Sequence, residues 1–349
     1  MLDIEFYQKI EKTKRRIDTT CLDKHYVLNI LESSRSKYPI IYNIETTNLC
    51  NMKCQMCPRT TLMNRKIEEM DMNIYKKIIN QIKPFSYDQW NRWEDFVKNN
   101  YGISKNDMSE NHFFLYIIPK VIVLHGFGEP VLDKLICKRI ELLANKNIPT
   151  YFSCNPSNLK LDKIDSVFKS GLNFLKFSLE STDDTEQKRI RGNASNFTES
   201  CEKIFRILDK KHSKGYSTTL VISIIDINPK KDEFEKFQET FKNTDIYIYK
   251  KAQDCKWYKD NTNKLTSIHW LEFCQFPWSS MTVYSNGDVV PCTQDCNADI
   301  KLGNVKETDL IDIWNGNCYK KFRNTHCEKS SSLRCHNVCD MKVVGKFIK

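Results

Sequence analysis

The amino-acid sequence predicts an α/β protein in which a parallel sheet is followed by a small, cysteine-rich C-terminal domain. Two observations support this fold class. From residue 38 to residue 255, short apolar β-type runs alternate with helical stretches, which favours parallel strands joined by right-handed crossovers. Seven of the fifteen cysteines lie between residues 274 and 339. The alternation alone fits either a barrel or an open sheet.

Three regions are expected along the 349 residues. Residues 1–37 predict a short N-terminal helical cap, residues 38–255 contain the alternating segment, and residues 256–349 form the C-terminal domain. The predicted strands are Ile40–Glu45, Val121–Leu124, Thr150–Ser153, Phe174–Leu179, Thr219–Ile225 and Ile246–Tyr249. The predicted helices are Met72–Ile82, Leu135–Asn145, Leu161–Ser170, Phe197–His212 and Lys231–Phe241.

An aromatic segment, residues 84–119, interrupts the alternation where a short connection would suffice. Insertions of this length in compact domains are often lids or binding loops. A helical segment that packs its aromatic side chains on the barrel exterior is the equal alternative. The sequence leaves both open.

Three cysteines follow the first predicted strand with the spacing C-x3-C-x2-C: Cys50, Cys54 and Cys57. One loop can place three thiolates on three corners of a cubic iron–sulfur cluster, which leaves the fourth iron without a protein ligand. A zinc site is the alternative, although zinc sites usually pair C-x2-C units and add a fourth ligand. The spacing therefore favours a cluster with an open iron.

This loop, placed after a strand, resembles the signature of the radical S-adenosylmethionine (SAM) superfamily. The resemblance implies a partial (β/α)6 barrel and a [4Fe–4S] cluster whose open iron binds SAM. It also implies a flavodoxin- or ferredoxin-type reductant and a 5′-deoxyadenosyl radical that abstracts hydrogen from a substrate. Met56 stands where relatives often have an aromatic residue near the adenine, and its thioether can also pack on a ring.

The same resemblance assigns further SAM contacts to the ends of successive strands. Gly128 and Glu129 match a Gly-Gly-Glu-Pro motif in which Phe127 replaces the first glycine. The other matched positions are Asn155, Ser178 and Arg191, the last of which could bind the SAM carboxylate through its two-donor fork.

Three further residues on or after the predicted strands have two interpretations each. His125 is either a proton acceptor or a hydrogen-bonded structural histidine. Ile222 and Ile224 either pack on the adenine or belong to the core.

The C-terminal cysteines resemble the SPASM/twitch extension of radical SAM enzymes. The order is Cys274, then Gly287, Cys292, Cys335 and Cys339, and the four thiolates would complete one auxiliary [4Fe–4S] cluster. The single-cluster twitch layout is similar to that of 2-deoxy-scyllo-inosamine dehydrogenase-type enzymes. A four-cysteine zinc site is the alternative. The sequence leaves Cys296, Cys318 and Cys327 as spares, any of which could replace an assigned ligand.

The predicted function is a radical SAM enzyme that dehydrogenates or epimerises a small polar substrate of the aminocyclitol, sugar or nucleoside type. In an epimerase, Cys154 is the candidate hydrogen donor, against the alternative of a buried apolar cysteine. The short N-terminal region favours a small molecule over a ribosomally made peptide, whose modification is the second hypothesis. An iron–sulfur electron carrier or redox sensor is the third.

Composition indicates which binding partners and which cellular compartment to expect. The net charge of +10 comes from scattered lysines, which indicates a solvated surface more than a nucleic-acid footprint and leaves an anionic substrate open. No run is long enough to span a bilayer, and the N-terminus does not read as a signal peptide. A cytoplasmic enzyme with cysteines committed to metal, without membrane or nucleic-acid partners, is expected.

Overall fold

The computed structural model describes residues 1–14, 16, 23–104, 107, 109–225, 232–251, 274–328 and 332–335. Within these residues, nine strands form one sheet in the order β6-β5-β4-β3-β2-β1-β7-β8-β9. The strands are β1 (Ile41–Ile44), β2 (Ile122–Val123), β3 (Thr150–Cys154), β4 (Phe174–Ser178), β5 (Thr219–Ile225), β6 (Tyr247–Lys251), β7 (Met281–Val283), β8 (Asp288–Val290) and β9 (Gly303–Asn304).

Helices connect and cover these strands. The α-helices are α1 (Ile4–Lys14), α2 (Lys24–Ser34), α3 (Pro58–Thr61), α4 (Met72–Ile79), α5 (Tyr87–Tyr101), α6 (Glu110–His112), α7 (Ile136–Ala144), α8 (Ile164–Lys169), α9 (Asp184–Arg191), α10 (Phe197–Lys214), α11 (Glu233–Thr240), α12 (Phe276–Ser279), α13 (Leu310–Asn315) and α14 (Asn317–Glu328). Short 3-10 helices occupy Pro130–Leu132 and Pro156–Asn158, and a π-helix occupies Phe113–Ile117.

Strands β1 to β6 pair in parallel and in sequential order, each with its chain neighbour. This arrangement confirms the predicted α/β class and all six predicted strands. Parallel strands present their carboxyl ends at one edge, so the loops that follow β1 to β4 come together there. The residues predicted to form the site follow these strands.

The two faces of the sheet carry different sets of side chains. On β3, Phe152 and Cys154 belong to a core that packs on helices α4, α7, α8, α10 and α11. Tyr151, which precedes Phe152, belongs to a second cluster on the opposite face. Because side chains alternate along a strand, Ser153 shares the face of Tyr151, which is the interior of the partial barrel.

The insertion 84–119 closes the barrel at the end where the strands begin. Helix α5 packs on α1, and Trp93 donates its indole N–H to the Leu115 carbonyl at 2.7 Å. The ring of Phe113 stacks on Tyr249 of β6 at 4.7 Å. The aromatic side chains therefore fill the barrel floor, opposite the carboxyl ends of the strands, and neither sequence interpretation anticipated this.

The C-terminal region continues the sheet of the barrel. Strand β7 pairs in parallel with β1, and β8 and β9 then add antiparallel strands. A tight turn joins β7 to β8, and Gly287 adopts φ 89° in it. One hydrophobic core runs from the barrel helices to Val289 and Trp314. The predicted boundary at residue 256 lies outside the described residues.

Candidate active site

The three clustered cysteines lie in the loop that leaves the carboxyl end of β1. All three are free thiols, and Cys54 is buried. The backbone N–H of Met52 donates to the Cys50 sulfur at 3.4 Å, and the N–H of Arg59 favours the Cys57 thiolate. Backbone donors of this kind stabilise the thiolates of iron–sulfur ligands and tune their potential. The donor set therefore fits a cluster.

Burial affects the protonation of these thiols. It raises the pKa of Cys50 to about 11 and also raises the pKa of Cys57. At Cys57, the charges of Arg191 and Arg59 act in the opposite direction but do not outweigh burial. A bound iron ion would lower the pKa of these thiols, because coordination deprotonates a thiol.

Two neighbouring segments hold the cysteine loop in place. The N–H of Glu129, after β2, donates to the Leu49 carbonyl at 2.7 Å, and the N–H of Gln55 donates to the Ile190 carbonyl at 2.9 Å. A Cβ on Gly128 would overlap the Thr47 carbonyl. Glycine is required at 128 because the loop after β2 runs directly against the loop that carries the cysteines.

Arg191 connects the cysteine loop to the loop after β4. Its Nε and Nη2 donate to the two carboxylate oxygens of Glu180, and Nη1 contacts the Cys54 sulfur at 3.7 Å. The two-donor fork that the sequence assigned to the SAM carboxylate therefore engages Glu180 in this structure. A SAM contact of Arg191 remains a prediction.

Glu129 and Asn155 belong to one buried network. The Glu129 Oε2 accepts from the backbone N–H of Asn155 and from the Asn158 side chain, both at 3.0 Å. The Asn155 amide donates to Ser195 at 3.1 Å, and its oxygen accepts from Ser157. Burial raises the pKa of Glu129 to about 7. These bonds fix the two strand-end loops that the motif comparison singled out.

Ser178 and His125 face the barrel interior. The Ser178 hydroxyl lies 2.9 Å from the Ser153 hydroxyl, and His125 Nδ1 accepts from the Ser153 N–H at 3.1 Å. His125 is therefore a hydrogen-bonded histidine, as one of its two interpretations predicted. Met56 is half-buried in the cysteine loop.

Three candidates point away from the interior. Cys154, Ile222 and Ile224 are buried in the core between the sheet and its outer helices. For the two isoleucines this is the core role that the sequence left open. For Cys154 the placement favours a buried apolar cysteine over a hydrogen donor, because its neighbour Ser153 occupies the interior face.

The C-terminal cysteines surround the β7–β8 hairpin. Cys274 precedes α12, Cys292 follows β8, and the N–H of Gln294 donates to the Cys292 sulfur at 3.4 Å, as Met52 does to Cys50. Cys335 is half-buried against the main core, and Cys339 lies outside the described residues. In the described part of the chain, no three Cys, His, Asp or Glu side chains are arranged to hold a single metal ion.

The spare cysteines differ in their surroundings. Cys318 is exposed, whereas Cys296 and Cys327 are buried. Cys327 belongs to the cluster of the N-terminal helices, on α14. Cys296 lies four residues after Cys292, and its carbonyl accepts from Arg65 Nε at 2.7 Å.

Sequence reasoning missed a buried ion pair and a half-buried lysine on the interior face of β4. Arg65 binds both carboxylate oxygens of Glu45 at 2.8 and 2.9 Å, and its guanidinium lies 3.9 Å from the Tyr284 ring. The sequence separates the two partners by twenty residues and carries no signal for this pair. Lys176 faces the interior two residues before Ser178, a position that the strand period could have revealed.

Comparisons with known proteins agree with this arrangement. Residues 274–340 match the SPASM family, described as an iron–sulfur cluster-binding domain. Similar solved structures include BtrN in complex with AdoMet and 2-DOIA, at 15% identity over 87% of this chain and 94% of that chain, with a TM-score of 0.51. The chain has the radical SAM fold and carries a SPASM domain. No curated protein sequence matches it.

Two other radical SAM structures are equally similar. SuiB of Streptococcus suis bound to precursor peptide SuiA shares 14% identity over 96% of this chain and 83% of that chain, with a TM-score of 0.53. Native anSMEcpe with bound AdoMet shares 14% identity over 86% and 88%, also with a TM-score of 0.53. No described helix of this chain is long and apolar enough to cross a membrane.

Proposed function

We propose that this protein is a radical SAM enzyme that oxidises a small polar substrate. Cys50, Cys54 and Cys57 would hold a [4Fe–4S] cluster, with SAM on its open iron. When bound, these groups supply reductive cleavage of the sulfonium to methionine and a 5′-deoxyadenosyl radical. The observation that carries the proposal is the three-cysteine loop at the carboxyl end of β1, in a chain with this fold.

The chain's own residues would orient the bound groups. The contact of Arg191 with Cys54 joins the cysteine loop to the loop after β4. Ser178, with Gly128, Glu129 and Asn155, borders the SAM position that the motif comparison predicts. The aromatic floor formed by the insertion closes the barrel from below and would exclude water from the reacting centre.

Oxidation is favoured over epimerisation. An epimerase needs a hydrogen donor on the second face of the substrate, and Cys154 lies in the outer core. A net oxidation instead needs an acceptor for the second electron. Cys274, Cys292, Cys335 and Cys339 would hold one auxiliary [4Fe–4S] cluster in that role.

The substrate class has two candidates. The layout shared with BtrN, solved with 2-DOIA, supports a small polar molecule such as an aminocyclitol, sugar or nucleoside. The fold shared with SuiB, solved with its precursor peptide, supports peptide modification as the second candidate.

Anaerobically reconstituted protein tests the proposal directly. With dithionite and SAM, we expect 5′-deoxyadenosine, and with a deuterated substrate we expect label in that product. Cys54→Ala should form none, whereas the matched control Cys318→Ala, which removes an exposed thiol, should retain the wild-type rate. Protein that holds both clusters yet forms no 5′-deoxyadenosine would instead be an iron–sulfur carrier or redox sensor.

A further inference from the structure

We propose that Lys176 and His125, inside the barrel, bind a carboxylate or phosphate group of the substrate. This inference deepens the proposed function and rests on it. It would place a negatively charged group of the substrate below the SAM-binding edge, between strands β2 and β4.

Lys176 lies deep in the barrel on β4. It is opposite Ser153 of β3 and Val221 of β5, and its Nζ lies 6.0 Å from the centre of the Tyr151 ring. The residue is half-buried, and its side chain points to the interior face of the sheet. Among the described residues, no hydrogen bond or ion pair engages its ammonium group.

The surroundings of Lys176 lack a free counter-charge in the part of the chain that the structure describes. Glu180 is engaged by Arg191, and Glu129 is turned toward Asn155. Lys251, at the end of β6, faces the same interior and adds a second positive charge. Partial burial of an ammonium group without a counter-ion is unfavourable, so an anion bound beside it would reduce the desolvation cost.

His125 supplies a neutral donor beside the lysine. Its Nδ1 accepts from the Ser153 N–H, so the neutral ring carries its proton on Nε2. The ring packs edge-on against Tyr151 at 5.1 Å. Burial, followed by the charge of Lys176, lowers the pKa of His125 to about 3, so it stays a neutral donor.

The protonation of Lys176 responds to this environment. Burial, followed by the charges of Lys251 and Arg191, lowers its pKa to about 7, while Glu180 acts in the opposite direction. A bound anion would raise that pKa again and keep the lysine charged.

The positive charges of Lys176 and Lys251 inside the barrel favour anionic substrates over cationic ones. The ammonium group of an aminocyclitol would be repelled by Lys176 and Lys251, whereas a sugar or nucleoside that carries a carboxylate or phosphate would be attracted. A charged group also orients the substrate, because it can bind at only one depth in the barrel.

Binding of small probes to the reconstituted holoprotein tests the inference. Glucuronate and glucose 6-phosphate are titrated calorimetrically, with glucose as the uncharged control. We expect Lys176→Met to weaken the binding of both anions about tenfold or more, because the charged hydrogen bond to the anion is lost. The matched control Lys160→Met removes an exposed lysine and should change nothing. Equal anion affinity in Lys176→Met and wild type would overturn the inference.

Two further measurements keep the test decisive. Glucuronate affinity of the wild type should fall as pH rises from 6.5 to 8.5, because Lys176 loses its charge, and a flat profile would contradict the proposal even if Lys176→Met does not fold. SAM is titrated in parallel, and an equal loss of SAM affinity would assign Lys176 to the SAM carboxylate and overturn the proposal. Anion binding without 5′-deoxyadenosine formation would leave this site standing while the proposed enzymatic function fails.

Discussion

Cys154 and Ser153 are neighbours in sequence and face opposite sides of β3. We predict that Cys154→Ala leaves product formation unchanged, because the thiol lies among outer-core side chains. The substitution should lower the free energy of unfolding by about 1 kcal/mol. We expect the same loss for the matched core variant Cys201→Ala. The assay measures product from any substrate that transfers deuterium to 5′-deoxyadenosine. SAM cleavage without product in Cys154→Ala would restore the epimerase hypothesis.

The lowered pKa of His125 predicts that the stability of the folded protein depends on pH. Its pKa is lowered to about 3 in the folded protein, while the unfolded chain takes up the proton below about 6.5. Stability is therefore present above pH 6.5 and is lost as pH falls toward 3. Between pH 7.5 and 5.5 this amounts to about 1 kcal/mol.

Urea unfolding at these two pH values measures the effect. His125→Gln should lose about 1 kcal/mol less than the wild type on acidification. His25→Gln, which removes an exposed histidine, should behave like the wild type. An identical loss in wild type and His125→Gln would show that the ring takes up its proton as easily in the folded state.

At the scale of elements, the loop after β2 sets the position of the cysteine loop. A Cβ at Gly128 would lie 2.9 Å from the Asn48 Cα as well as overlapping the Thr47 carbonyl, and backbone atoms cannot move aside cheaply. We predict that Gly128→Ala loses about half of the iron of the reconstituted protein, since one of two [4Fe–4S] clusters would fail to assemble.

A second glycine gives the control for that measurement. Gly215 ends α10 with φ 65° and has open space around its Cα. Gly215→Ala should cost about 1 kcal/mol of stability through its backbone conformation and keep all the iron. Full iron content in Gly128→Ala would contradict the prediction and would mean that the cysteine loop can move without losing its cluster.

Elements with a strong local pattern were predictable from the sequence. The limits of β5 agree with the prediction at both ends, because five of the seven residues of Thr219–Ile225 are β-branched. The position of the first cysteine loop, directly after β1, was predictable because it follows from the position of that strand. The engagement of Arg191 by Glu180 was not, since a motif identifies a side chain and not its partner in space. The position of the insertion under the barrel likewise depends on contacts distant in sequence.

At the scale of the whole molecule, Arg65 joins three regions. It follows the cysteine loop, pairs with Glu45 after β1, and contacts Tyr284 and Cys296 of the SPASM domain. We predict that Arg65→Met lowers the free energy of unfolding by about 3–5 kcal/mol, because it leaves the Glu45 carboxylate buried without its cation.

Two variants control for this prediction in urea unfolding. Adding Glu45→Gln to Arg65→Met should recover part of the loss, since the uncompensated charge is removed. Arg92→Met breaks an exposed pair with Glu5 and should cost no more than about 1 kcal/mol. A loss in Arg65→Met no larger than in Arg92→Met would mean that Glu45 finds another partner or is protonated.

Strand β1 is hydrogen-bonded to β2 on one side and to β7 on the other, and the cysteine loop begins where β1 ends. The hairpin that separates Cys274 from Cys292 is thus attached by backbone bonds to the strand that feeds the first cysteine trio. Under the proposed function, this framework would fix the distance that an electron crosses between the two clusters.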